Sequence, residues 1–77
     1  MKKYALVINE FAGWNQVGYQ ALRCDLLPQR YTTRKNAEYA AKKNVDWYSQ
    51  FDDAGVCVLV CRKKPRKGWI VVNQINQ

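Results

Sequence analysis

Residues 3 to 10, Lys3-Tyr4-Ala5-Leu6-Val7-Ile8-Asn9-Glu10, read as a strand with no polar side: Tyr4, Leu6 and Ile8 share one face, Ala5 and Val7 the other. Apolar residues on both faces predict an interior strand. Residues 11 to 16 contain Gly13 and read as a loop. A second strand is expected from about Val17 to Leu26. Leu22, Cys24 and Leu26 would turn to the core, Tyr19, Arg23 and Asp25 outward, and Pro28 would end the strand.

The period then changes. From residue 34 to about 50, at about 100° per residue, Ala37, Ala40, Ala41, Tyr48 and Phe51 fall on one arc, with Asn44 among them and Val45 and Trp47 at its sides. Lys35, Glu38, Tyr39, Lys42, Lys43, Asp46 and Gln50 occupy the opposite arc. Thr32-Thr33 precede this segment, and a threonine is a good N-cap. The alanines would let the helix lie close against a sheet, and Trp47, Tyr48 and Phe51 are expected to add bulk to the core. Asp52-Asp53-Ala54-Gly55 reads as a turn. Val56-Cys57-Val58-Leu59-Val60-Cys61 and Trp69-Ile70-Val71-Val72 then flank a connector holding Pro65 and Gly68, the pattern of a hairpin, and residues 73 to 77 trail off.

The resulting order is ββαββ. It predicts the α+β class: a two-layer domain in which one helix covers one face of a four-stranded, mainly antiparallel sheet. With 77 residues the chain makes one domain, 1–77, whose core must be small.

Charge sharpens this picture. The chain carries 13 Lys+Arg against 6 Asp+Glu, a net of +7. Five of those cations, Arg62, Lys63, Lys64, Arg66 and Lys67, fall within six consecutive residues; the rest of the chain has eight cations and six acids. The basicity therefore sits on the hairpin tip at 62–68. A solubilising turn accounts for one or two lysines there. Five cations repel one another and stabilise no fold, whereas a phosphate backbone would neutralise them with release of counterions. Two of the five are arginines, whose forks pair bidentately with phosphate.

Two further surfaces are candidates. Arg34 and Lys35 in the first helical turn oppose the helix dipole, and Lys35, Lys42 and Lys43 share the outer arc with Tyr39. The plain alternative is a solvated face laced by Glu38–Lys42 and Lys42–Asp46 pairs at i,i+4. Trp14 in its Gly-containing loop, and Trp69 beside the basic run, are candidate platforms for stacking on bases or anchors for a protein partner.

Catalysis finds little support. The chain has no histidine, its single serine is Ser49, its acids are scattered, and its four glycines form no phosphate loop. Cys61, beside Arg62 and Lys63, is the one candidate nucleophile, and a thiol in an alternating apolar strand is usually packed. Three cysteines cannot close a disulfide framework. Cys57 and Cys61 in one strand lie roughly 13 Å apart, too far for a bridge. The set is read as small buried hydrophobes rather than a zinc site, with no metal and no cofactor expected. Met1-Lys2-Lys3 is followed by five apolar residues where a secretory leader needs about 7–15. No run approaches the roughly 20 residues of a membrane span. A cytoplasmic chain without membrane contact is expected.

The stretch Tyr31-Thr32-Thr33-Arg34-Lys35-Asn36-Ala37-Glu38-Tyr39-Ala40 resembles the strand-to-helix junction of small sheet-plus-helix DNA-binding domains in phage-type recombinases. That likeness would imply a sheet face in the major groove, and the added C-terminal hairpin departs from it. The ββαββ order, small size and basic charge also look like those of some phage-encoded inhibitors, including certain anti-CRISPR proteins, a likeness of size and order rather than of motif. Three readings follow. The first is a non-catalytic basic module contacting nucleic-acid phosphates through residues 62–67. The second is a phage-type inhibitor or adaptor docking on an acidic or nucleic-acid-binding surface of a host protein or nucleoprotein complex. The third, compatible with both, is a homodimer paired through an exposed strand Ile70-Val71-Val72.

Overall fold

The computed structural model describes residues 2–12, 20–50 and 54–76. Its elements run β1 (Tyr4–Ala12), β2 (Gln20–Tyr31), α1 (Arg34–Tyr48), β3 (Ala54–Lys64) and β4 (Gly68–Asn76). The strands form one sheet in the order β2-β1-β3-β4, with every neighbouring pair antiparallel. The apolar β1 and β3 take the centre, and the more polar β2 and β4 take the edges. This is the expected ββαββ architecture of the α+β class, with one helix on one face of the sheet.

Strand residues alternate between faces, so the register assigns the two sides. Leu6 and Ile8 of β1 pair with Val60 and Val58 of β3, and together with Val56 they meet Ala37, Ala41 and Val45 of the helix. Ala37 and Ala41 are fully buried, and their short side chains bring the helix down onto β3. Burying Leu6, Ile8, Val56, Val58 and Val60 contributes about 1.5–3 kcal/mol each relative to exposure. Thr33 caps the helix, its hydroxyl accepting from the Asn36 N–H at 3.2 Å. Asn44, the polar residue on the apolar arc, is satisfied by donating to the Ala40 carbonyl at 2.8 Å.

Three expectations are corrected. First, β2 does not stop before Pro28. Ala5 pairs with Arg30 and Val7 with Leu26, so four residues of β2 span two of β1 and Pro28 sits in the bulge between them. An edge strand tolerates proline there because no ladder partner needs its missing N–H. Second, the faces of β2 are reversed. Leu26 is 44% exposed and Cys24 is exposed, whereas Arg23 reaches the helix, donating to the Tyr48 hydroxyl at 3.4 Å. Leu27 and Tyr31 supply β2's share of the core instead. Third, Trp47 is 61% exposed. It lies about 120° around the helix from Ala41, off the buried arc. Strands β1 and β4 also run on, through Ala12 and Asn76, where a loop and a trailing end were expected. The expectations for Trp14, Val17, Tyr19, Phe51, Asp52 and Asp53, and for the side chain of Leu22, lie outside the described residues.

Candidate phosphate-binding site

The hairpin between β3 and β4 closes through Lys64 and Gly68, leaving Pro65, Arg66 and Lys67 in the loop. The Lys67 N–H donates to the Lys64 carbonyl at 3.3 Å. Proline presets the first central position of this turn, and Arg66 at the second has φ 68°. A positive φ at that position defines a type II turn, where glycine or asparagine is the ordinary residue. Gly68, with φ 74°, supplies the second left-handed position at no steric cost.

Beneath the tip, the Lys63 N–H donates to the Lys3 carbonyl at 2.8 Å. This bond extends the β1–β3 ladder beyond the Tyr4–Arg62 pair and brings the N-terminal lysines beside the hairpin. A pocket of about 650 Å³ results, lined by Lys2, Lys3, Arg62, Lys63, Lys64, Pro65, Arg66 and Gly68. Its lining holds six cations and no acid. Four of the five predicted tip residues thus converge on one concavity; the fifth, Lys67, is exposed on the turn beside it. Lys2 and Lys3 escaped sequence reasoning because only the register places them there. Once β1 is taken as antiparallel to β3, its first residues must meet the last residues of β3.

Two cations outside the pocket, Arg23 and Arg34, are paired with acids. Among the described residues, ion pairs join Arg23 to Glu10 and Asp25, and Arg34 to Glu38, and none of the six pocket cations takes part. Arg34 is tied into the fold, since it also donates to the Val72 carbonyl at 3.0 Å. Glu38 accepts from Asn73 of β4 as well. That hydrogen bond and the Arg34 guanidinium hold the Glu38 carboxyl below its ordinary pKa. Lys35, Lys42 and Lys43 are exposed on the helix, and Lys43 lies over the Tyr39 ring at 4.8 Å. The helix starts over β4 at Val72 and ends over Arg23, which is paired with Glu10 at the far end of β1. Lys42 and Lys43 are therefore about 12 Å along the axis from Arg34 and do not join the pocket.

Trp69 follows the tip on β4, paired with Lys63, on the sheet face opposite the helix. Lys63 Nζ lies 5.9 Å from its ring centroid, and the Arg30 guanidinium carbon lies 5.2 Å from it. Arg30 also donates to the carbonyls of Leu27 at 2.6 Å and Gln29 at 3.3 Å. Nothing in the sequence marks Arg30, because the bulge that precedes it has no local signature.

The cysteines do not form a site. Cys24 and Cys57 both pair with Asn9 on the open face, two strand spacings or about 10 Å apart. Cys61 is buried, and desolvation pushes its thiol pKa up, the opposite of what a nucleophile requires. Among the described residues no group of three or more His, Cys, Asp or Glu could hold a metal, and no helix is long and apolar enough to cross a membrane. No known protein family matches this chain, and no curated protein or solved structure shows significant similarity to it.

Proposed function

We propose that this chain is a small, non-catalytic, cytoplasmic nucleic-acid-binding protein that contacts phosphates through the end of the sheet formed by Lys2, Lys3 and the 62–67 tip. The observation that carries this reading is the convergence of six cations on one pocket whose lining includes no carboxylate. Such a cluster is unfavourable in the free protein and is relieved when a polyanion enters. Fluorescence anisotropy of labelled oligonucleotides at about 50 and 200 mM salt tests it. Binding that weakens steeply with salt is the expected result, and no binding at the lower salt overturns the reading.

A second reading rests on a different observation. Tyr39 and Trp47, 63% and 61% exposed, lie eight residues apart on the outer ridge of the helix with Lys43 between them. Aromatic residues with a cation are common anchors of protein interfaces. This ridge supports an inhibitor or adaptor docking on a host protein or nucleoprotein complex, and a one-to-one complex that survives high salt would identify it.

A further inference from the structure

The sheet has a face that the helix does not cover, and its composition is one-sided. Val7 and Leu59 are half-buried there, and Leu26 and Val71 are 44% and 52% exposed. The described acids lie elsewhere. Glu10 and Asp25 pair with Val56 and Ile8, which are core residues on the helix side, and Glu38 and Asp46 are on the helix itself. Among the described residues the uncovered face therefore carries no carboxylate. It carries amides (Asn9, Gln74 and Asn76) and, at its tip end, the Trp69 ring with the Arg30 and Lys63 cations near it.

Lys63 belongs to both surfaces: it lines the basic pocket and stands beside the Trp69 ring. The phosphate-binding end thus passes without a break into an aromatic and apolar platform. Stacked duplex bases offer such a platform nothing, because their faces are already covered. Unstacked bases of a single strand offer flat apolar surface to Trp69, Val71, Leu59 and Leu26, while the adjoining cations follow the backbone. We infer that the uncovered sheet face is a single-strand platform, and that the chain prefers single-stranded nucleic acid to duplex. The inference rests on the phosphate-binding reading and adds to it the ligand's strandedness and the face that reads it.

The test compares a labelled single strand of about 12 nucleotides with the blunt duplex of the same sequence, titrated with the full chain at about 50 mM salt. Val71→Glu and Leu26→Glu place an acid on the platform at exposed positions. Asn36→Glu places the same charge on the helix side, where it also completes a capping box with Thr33. The wild type should bind the single strand about tenfold or more tighter than the duplex, in line with the stacking of one or two bases. The two platform variants should lose that preference, and Asn36→Glu should stay within about twofold of wild type, the small change one remote charge causes at this salt. Independently of any variant, the methyl resonances of Val71, Leu59 and Leu26 in the wild type should shift when the single strand is added. Equal affinity for both strands, platform variants that match Asn36→Glu, or unmoved methyls overturn the platform while leaving the phosphate pocket standing. Failure of the wild type to bind either oligonucleotide overturns both readings at once.

Discussion

Arg30 and Trp69 come from the two edge strands of the sheet, yet the guanidinium carbon lies 5.2 Å from the indole centroid. The row between them runs from Arg30 through Ala5 and Cys61 to Val71. Ala5 is fully buried and Cys61 is 2% exposed, although both lie on the face away from the helix and outside its core cluster. The Arg30–Trp69 pair spans this row, and closing over Ala5 and Cys61 would explain their burial. Trp69→Ala should therefore cost about 2 kcal/mol, less than a fully buried tryptophan, with loss of the cation–π contact included. Thiol labelling gives a sharper readout. In the wild type the exposed Cys24 should react fast and Cys61 slowly, and Trp69→Ala should accelerate Cys61 alone. A Cys61 rate unchanged by the substitution would show that something else covers it.

Arg66 occupies a backbone conformation that costs a non-glycine residue about 1 kcal/mol. Glycine would relieve the strain, but it would also remove one of the six cations from the pocket. Arg66→Gly should raise the melting temperature and at the same time weaken oligonucleotide binding. This trade of stability for charge is expected where strain serves a function. A variant that is more stable and binds as well as wild type would make Arg66 incidental to the site.

Glu38 links the helix to β4 through Asn73 and to Arg34, and both interactions lower its pKa in the folded state. A carboxylate with a depressed folded pKa stabilises the fold fully above its ordinary unfolded value. That contribution disappears as the pH falls through the lowered folded value. Glu38→Gln should therefore be less stable than wild type near neutral pH, and the two melting curves should converge under acid. A stability difference that persists in acid would assign the effect to packing rather than to the carboxylate.

Legibility of the fold followed the strength of each local signal. Both faces of β1 are apolar from Tyr4 to Ile8, Ala37 and Ala41 recur at the helical period, and the two apolar runs bracket Pro65 and Gly68. These patterns are written in neighbouring residues, and each corresponds to an element of the structure. The faces of β2 were not legible, because Pro28 looks like an end and conceals Tyr31 beyond it, which leaves Leu22, Cys24 and Leu26 as the stronger apolar pattern. Only when the strand continues through the bulge to Tyr31 do Arg23, Leu27 and Tyr31 fall together on the helix side. The tip cations could be read from one short run. Lys2, Lys3 and Arg30 could not, since nothing local distinguishes them from ordinary surface cations and only strand order brings them to the tip.

Lys2 and Lys3 supply the most direct test of that assembly, because they are remote in sequence from the basic run and share its pocket. If the pocket acts as one phosphate-binding unit, Lys2→Ala with Lys3→Ala should weaken oligonucleotide binding about as much as losing two tip cations. Each phosphate contact contributes about 0.7 to the slope of log K against log salt for a single strand, so the double variant should flatten that slope by about 1.4. The ladder bond from the Lys63 N–H goes to the Lys3 main-chain carbonyl, so the fold should survive the side-chain loss. An unchanged slope would confine phosphate contact to the hairpin. A slope lowered by the expected amount would mean that the N-terminal lysines and the hairpin tip grip the same backbone.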